Sequence, residues 1–295
     1  MSDLCSQCPR LCSIDRTQAY GFCHSPSGFH VARAALHPWE EPSISGTHGS
    51  GTIFFSGCNL RCVFCQNRDI SRGDLGKHIS DDELIALMLR LQDEGAHNIN
   101  LVTPSHYANR LADVLTRAKS RLRIPVVYNC GGYESVDTLK QLEGLVEIYL
   151  PDFKYYASDL SARYSSAPDY FTVALSALGE MLRQTGKPQI GTDGLMTRGT
   201  IVRHLILPTH RRDSIEILQR LADTFGNDAF LLSLMSQYTP VFAADSGFPE
   251  LGRRITSFEY EAVLKEAERL GFDGYFQSRD SASESFTPNF HETTF

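Results

Sequence analysis

The 295-residue sequence predicts an α/β fold built on a parallel sheet. With 42% hydrophobic and 21% charged residues, the chain has enough apolar material for a substantial core, which excludes a disordered or fibrous protein. From Thr52 onward, short apolar runs alternate with amphipathic stretches. Six such strand–helix units predict a parallel sheet with helices outside it, as a barrel or as an open doubly wound sheet.

The predicted elements follow one another in regular alternation. Strands are expected at residues 52–56, 98–102, 125–128, 146–150, 201–207 and 230–235. Helices are expected at residues 80–94, 107–118, 135–143, 169–184, 213–225 and 258–270. Ser80 and Glu83 form a capping box at the start of the first helix, and Gly271 ends the last.

Three segments are predicted from changes in composition. Residues 1–50 hold four cysteines and several Pro and Gly, without a sustained period of 2 or 3.6, which predicts a loop-rich, metal-binding N-terminal element. Residues 51–277 form the strand–helix region. Residues 278–295 are rich in Ser, Thr, Asp and Glu and predict a polar C-terminal tail.

Charge and hydropathy restrict the kinds of partner and the cellular location that the sequence predicts. The net charge of −7 and the lack of a basic run argue against nucleic acid as the partner. No stretch of eighteen apolar residues occurs, and the polar N-terminus does not resemble a secretion signal, so no membrane association and a cytoplasmic location are expected. In a reducing compartment the eight cysteines predict buried thiols, metal ligands or catalytic thiols.

Three cysteines lie in a loop directly after the first predicted strand. Cys58, Cys62 and Cys65 have the spacing CxxxCxxC. Three thiolates on a [4Fe-4S] cluster leave its fourth iron without a protein ligand, so that a substrate or cofactor can bind there. A structural zinc site needs four ligands, and no fourth cysteine or histidine lies near in sequence.

This loop resembles the signature of the radical S-adenosylmethionine (SAM) superfamily, in which an aromatic residue, here Phe64, precedes the third cysteine. The resemblance implies a [4Fe-4S] cluster whose open iron binds SAM. It further implies reductive cleavage of SAM to methionine and a 5'-deoxyadenosyl radical, which abstracts a hydrogen atom. The protein positions the reactants and tunes the electronics of the cofactors.

A longer resemblance covers residues 5 to about 277 and is to the uncharacterised, pyruvate formate-lyase activating enzyme-like branch of that superfamily. It is carried by the stretches 37–42, 66–67, 100–107, 150–155 and 235–238. It implies a partial (β/α)6 TIM-like barrel, a low-potential reductant such as flavodoxin or ferredoxin, and a glycyl-radical enzyme as the protein substrate.

Polar residues at the strand ends are the candidate ligands of SAM, because loops at that edge of a parallel barrel converge. By resemblance, Thr103 and Ser105 occupy the segment that receives the SAM amino group. Asn129, Cys130 and Arg203 surround its carboxylate, and Asp152 and Lys154 are the candidate catalytic residues.

The candidate SAM site also has simpler interpretations. The Gly-Gly-Glu motif that usually binds the amino group is missing from residues 103–105. A plain Asp152–Lys154 ion pair, a solvated Arg203 at a sheet edge and a packed Cys130 are the competing interpretations of those residues.

A second cysteine group, Cys5, Cys8, Cys12 and Cys23, lies in the N-terminal element. A segment with so little apolar material needs a bound metal to hold it together. The spacing is compatible with a structural zinc site or with a second iron–sulfur cluster that relays electrons. Disulfides are the remaining alternative.

These patterns favour a radical SAM enzyme that abstracts hydrogen from a polypeptide, such as the glycine of a glycyl-radical enzyme. A radical SAM enzyme that modifies a small metabolite or a nucleic-acid base is the first alternative. The second is a metal-binding scaffold without catalysis, which the missing Gly-Gly-Glu motif keeps open.

Overall fold

A computed structural model describes residues 4–73, 75–277 and 290. Its strands are β1 (Phe29–His37), β2 (Ser50–Phe55), β3 (Lys77–Ile79), β4 (Ile99–Val102), β5 (Val126–Cys130), β6 (Ile148–Pro151), β7 (Gln189–Ile190), β8 (Met196–Leu205), β9 (Leu231–Met235) and β10 (Gly274–Phe276). Its α-helices are α1 (Pro42–Ser45), α2 (Arg68–Ser71), α3 (Asp81–Asp93), α4 (Ala108–Ala118), α5 (Val136–Lys140), α6 (Ser158–Ser165), α7 (Tyr170–Thr185), α8 (Arg211–Phe225) and α9 (Ser257–Leu270). The predicted polar tail at 278–295 lies outside the described residues, except for Phe290.

One sheet runs through the protein in the order β10-β9-β8-β6-β5-β4-β2-β1-β3. All neighbours from β10 to β2 are parallel, whereas β1 and β3 add antiparallel strands beside β2. The predicted α/β fold with a mostly parallel sheet is therefore confirmed. No pairing among the described residues joins β10 to β3, so the sheet stays open, as a partial barrel does.

Four of the described strands, β1, β3, β7 and β10, lie outside the predicted strand ranges. Residues 1–50 are expected to be rich in loops, yet they contain the nine-residue strand β1, which pairs with β2 from Val31 to His37. A register shift between Val31 and Arg33 breaks the two-residue alternation that would have revealed this strand. The three-residue β10 adds a seventh parallel strand to the six predicted. It is too short to give a periodic signal.

Helix ends follow local chemistry. The predicted capping box is confirmed, because Ser80 and Glu83 bond reciprocally at the start of α3. Gly271 ends α9 in the left-handed conformation, with φ of 76°. Helix α6 was not predicted, and α5 is shorter than the predicted 135–143 because its chain turns after Lys140.

The strand residues that point into the barrel form two layers. In the lower layer Val127, Ile148 and Ile201 pack around Ile44 of α1. Helix α1 thus closes the barrel where the strands begin. There the side-chain amide of Asn98, directly before β4, donates to the Ile44 carbonyl oxygen at 2.7 Å.

The upper layer is polar. Side chains alternate between the two faces of a strand, so Asn129 and Arg203 lie two residues beyond Val127 and Ile201, and Asp152 lies two residues beyond Leu150 of the same apolar cluster. The upper layer contains Asn129 of β5, Asp152 directly after β6, Arg203 of β8 and Ser233 of β9. The alternation of each strand therefore aims these polar groups at one place above the closed end of the barrel.

Candidate functional site

A cavity of about 290 Å³ lies above the apolar layer. Polar and charged side chains on its wall are Glu40, Glu41, Cys62, Cys65, Gln66, Asn67, Asn129, Asp152, Lys154, Arg203, Ser233 and Gln237. Aromatic residues on its wall are Trp39, Phe54, Phe64, Tyr238, Phe242 and Tyr275. The tertiary structure therefore brings the cysteine loop and the polar upper layer to one cavity.

The cysteine loop connects β2 to α2 and is fixed on both sides. The backbone N–H of Val63 donates to the Tyr164 carbonyl oxygen at 2.9 Å. Phe64 is buried, and its ring meets that of Tyr238 edge-on with centroids 6.1 Å apart. The aromatic residue of the motif therefore anchors the loop to the wall of the cavity.

The three thiols of this loop influence one another. Burial raises the pKa of Cys58, and Cys62 and Cys65 raise it further. Burial, together with Cys62, raises the pKa of Cys65 to about 11. Cys58 and Cys65 are therefore protonated at neutral pH even with Lys154 nearby, and a metal centre releases their protons on binding.

Hydrogen-bond donors already face the sulfur atoms. The backbone N–H of Leu60 lies 3.3 Å from Cys58 Sγ, and Ser165 Oγ donates to Cys62 Sγ at 3.0 Å. Such donors stabilise thiolates and tune iron–sulfur centres. The three-thiol set and its donors fit a [4Fe-4S] cluster. Among the described residues, no three His, Cys, Asp or Glu side chains are arranged to hold a single metal ion.

Asp152 bridges two cations beside the cysteines. Its Oδ2 lies 2.5 Å from Lys154 Nζ, and its Oδ1 lies 2.9 Å from Arg203 Nε. Burial alone would raise the pKa of Asp152, but Lys154 and Arg203 hold it below its usual value. Burial lowers the pKa of Lys154, but Asp152 and then Cys62 outweigh this effect and raise it. Lys154 therefore stays charged next to the thiols.

Arg203 also binds two residues on its other side. Its guanidinium donates to Asn129 Oδ1 at 2.5 Å and to Glu40 Oε2 at 3.2 Å. The amides of Asn100 and Asn129 donate to Glu40 Oε1 at 2.8 and 3.3 Å. Arg203 is therefore not a solvated edge residue, because Asn129 of β5, Asp152 after β6 and Glu40 before α1 hold its guanidinium.

Sequence reasoning gave no role to Glu40 or Glu41. The only available signal is a pair of acids beside Trp39 and immediately before the Pro42 that begins α1. Burial raises the pKa of both glutamates, and Arg203 opposes this effect. Both belong to the wall of the cavity because α1 enters the barrel from below.

Three of the predicted SAM-binding residues do not line this cavity. Thr103 has φ of 58°, and Ser105 Oγ donates to Glu134 Oε1 at 2.5 Å. Cys130 packs in the core cluster between the sheet and its helices. Since Asn129 points inward, strand alternation turns its neighbour Cys130 outward.

The element that carries the N-terminal cysteines contacts the cysteine loop. Burial raises the pKa of Cys8 to about 12, and Cys23 and Cys5 add to this shift. The Phe22 N–H donates to Cys12 Sγ at 3.4 Å. The Cys58 N–H donates to the Cys23 carbonyl oxygen at 3.3 Å, so the two cysteine groups are joined through the backbone.

The chain is similar to known proteins in sequence and in fold. The family model of the Radical SAM superfamily matches residues 52–277. An uncharacterized protein of Methanocaldococcus jannaschii, MJ0674, is 29% identical over 278 residues, which cover 91% of this chain and 75% of that protein.

Two solved structures align with this chain, and the first shares its fold. The [FeFe]-hydrogenase maturase HydG from Carboxydothermus hydrogenoformans aligns with a TM-score of 0.51 and 14% identity, over 77% of this chain and 54% of that one. This chain thus spans about half of the maturase. Streptococcus suis SuiB bound to precursor peptide SuiA aligns with a TM-score of 0.46 and 12% identity, over 72% and 43% of the two chains. Within the described residues, no helix combines the length and apolar character needed to cross a bilayer.

Proposed function

Because this chain belongs to the radical SAM superfamily, we propose that it is an enzyme that abstracts hydrogen from a polypeptide, such as the glycine of a glycyl-radical enzyme. Membership implies a [4Fe-4S] cluster and SAM. The observation that carries the proposal is one cavity wall shared by Cys62, Cys65, Lys154 and Arg203. A polypeptide substrate is supported by the stretches that resemble the activating-enzyme branch.

Cys58, Cys62 and Cys65 are the proposed ligands of the cluster. When bound, a [4Fe-4S] cluster supplies the electron that cleaves the sulfonium of SAM to methionine and a 5'-deoxyadenosyl radical. The donors from Leu60 and Ser165 stabilise the thiolate charge. The protein's contribution is therefore orientation and electrostatics.

Lys154 is the proposed partner of the SAM carboxylate. It is the cation on this wall that interacts with the thiols Cys62 and Cys65, and an ammonium has three donors, of which Asp152 takes one. Arg203 is already held by Asp152, Asn129 and Glu40. Its proposed role is to position Asp152 and Asn129 rather than to bind the carboxylate directly.

The N-terminal cysteines are proposed to hold a second iron–sulfur cluster that relays electrons from a reductant such as flavodoxin or ferredoxin. Support comes from the bond between the Cys58 N–H and the Cys23 carbonyl oxygen, which sets this element against the cysteine loop. An electron relay has to lie close to the cysteine loop, whereas a structural zinc site does not.

The experiment that tests the proposed chemistry is formation of 5'-deoxyadenosine from SAM after anaerobic reconstitution and reduction with dithionite. We expect product from the native chain and none from Cys58→Ala. Cys130→Ala is the matched control, because Cys130 is a buried thiol outside the cavity and its loss should leave product formation intact. Product from Cys58→Ala at the native rate would refute the assignment.

The polypeptide substrate is tested separately. Proteins captured anaerobically by the native chain are added to the same reaction, and radical formation on them is followed by electron paramagnetic resonance. A protein-centred glycyl signal that requires SAM is the expected result. Deoxyadenosine formation stimulated only by small metabolites or bases would favour the alternative substrates.

A further inference from the structure

Arg203 divides the cavity into two zones. On one side Asp152 and Lys154 lie against the thiols. On the other side Glu41 interacts electrostatically with Arg203 and Glu40 and bonds to Ser233 of β9. The largest influences on the pKa of Glu41 are burial, Arg203, Glu40 and Ser233, rather than the thiols or Lys154. A ligand held by Lys154 beside the thiols therefore leaves the Glu41 zone for another group.

Glu41 is a buried acid with an unused acceptor. Its exposed fraction is 8%, and its Oε2 has no hydrogen-bond partner among the described residues. An unsatisfied buried carboxylate is costly, by about 1–3 kcal/mol or more when charged. Such a group in the wall of a cavity is a place for a ligand to donate a hydrogen bond.

The charges on the wall are unequal in number. Within the part of the chain that the structure describes, three carboxylates (Glu40, Glu41 and Asp152) face two basic groups, Lys154 and Arg203. His37 also lines the cavity, but burial lowers its pKa to about 4, so it is neutral at pH 7. Because burial raises the pKa of Glu40 and Glu41, a cationic ligand group beside them would stabilise their charged forms.

The remaining wall suits a cation on an alkyl stem. Phe242 and Tyr275 supply aromatic surface, and Trp39, with 57% of its surface exposed, also lines the cavity. Aromatic faces attract ammonium groups through their quadrupoles, and apolar rings cover methylene groups.

We propose that Glu41, with Glu40 beside it, binds the protonated side-chain amine of a lysyl residue in the polypeptide substrate. This inference rests on the proposed function and specifies its substrate. The ammonium pairs with the Glu41 carboxylate, and the aromatic wall covers the methylene stem. SAM occupies the other zone, beside Lys154.

The test compares two probes on the full chain, reconstituted anaerobically and saturated with SAM: N-acetyl-lysine amide and N-acetyl-norleucine amide. The second lacks only the amine. Dissociation constants are measured by saturation-transfer NMR. A charged hydrogen bond predicts that the lysine probe binds at least about tenfold tighter. Equal binding of the two probes would overturn the proposal, and this comparison requires no variant.

A variant then locates the contact. Glu41→Gln is expected to reduce the lysine preference to within about twofold while SAM affinity stays within about twofold of native. Glu261→Gln, a change at an exposed glutamate, is the control and should alter neither value. A tenfold loss of SAM affinity in Glu41→Gln, with the lysine preference intact, would place Glu41 at SAM and contradict the inference.

The two proposals fail in different ways. Absence of 5'-deoxyadenosine from the native chain refutes the proposed chemistry, whatever the probes do. Normal deoxyadenosine formation together with equal binding of both probes refutes only the lysine site.

Discussion

Arg203 Nε lies 2.9 Å from Asp152 Oδ1, and the two residues also form a backbone bridge between neighbouring parallel strands. The same guanidinium reaches Glu40 Oε2 at 3.2 Å on its other side. One side chain thus links the acid next to the thiols with the acid pair above α1. Burial lowers the pKa of Arg203, but Asp152, Glu41 and Glu40 outweigh this and raise it, so the guanidinium is permanently charged.

Arg203→Gln should destabilise the fold strongly. The change removes the positive charge that pairs with Asp152 and Glu40. Removal of one partner from a buried ion network typically lowers the free energy of unfolding by about 3–5 kcal/mol. The free energy of unfolding in urea measures this. Arg163→Gln is the matched control, because the Arg163–Glu250 pair is largely exposed and should be worth about 1 kcal/mol or less. Similar losses for both variants would show that the Arg203 network does not stabilise the fold.

His204 should make the fold less stable at acid pH. Its Nδ1 donates to the Phe153 carbonyl oxygen at 2.6 Å, and burial lowers its pKa to about 4. Between pH 6.5 and 4 the unfolded state therefore binds more protons than the folded state, so stability falls as the pH falls through this window. The loss attributable to His204 is roughly 3 kcal/mol.

Comparison with His204→Gln isolates this contribution from those of other buried histidines. The glutamine amide can donate to a carbonyl but does not titrate. Unfolding free energies at pH 7 and pH 4.5 should therefore differ less in the variant than in the native chain. Identical pH dependence in the two proteins would show that His204 does not titrate as expected.

Gly57→Ala should separate the N-terminal element from the cysteine loop. Gly57 has φ of 85°, and a Cβ there would overlap Ser25 Oγ and lie 2.5 Å from the Cys23 carbonyl oxygen. Gly194→Ala has nearly the same backbone penalty, with φ of 80°, but nothing within 4 Å of its Cβ. The melting temperature and iron content of Gly57→Ala should therefore fall clearly below those of Gly194→Ala. Equal values would mean that this close contact contributes nothing beyond backbone strain.

Cys8→Ser should reduce metal content without removing the first cluster. With two [4Fe-4S] clusters the native chain holds about eight iron atoms after reconstitution, and the variant is expected to hold about four. Deoxyadenosine formation should persist with dithionite but slow with flavodoxin, because only the relay is lost. Iron and zinc analysis of both proteins measures the content. One zinc per native chain with about four iron atoms would identify the N-terminal site as structural zinc instead.

The sequence by itself determined the class of fold and the grouping of Cys58, Cys62 and Cys65 in one loop. Alternating apolar runs and helix caps are local signals, so six of the seven parallel strands, the start of α3 and the end of α9 could be predicted from them. The CxxxCxxC spacing is equally local, because three thiols in one short loop need no distant partner to converge. Strand β1 could not be predicted in this way, because a register shift between Val31 and Arg33 interrupts the alternation of its side chains.

Only the tertiary structure decided which polar residues share the cavity. Side-chain direction depends on strand register, so Asn129 faces the cavity while its neighbour Cys130 packs against the helices. Glu40 meets Arg203 across 163 positions of the chain because α1 closes the barrel from below. No local pattern encodes such a long-range contact, since it arises only when the strands have assembled around α1.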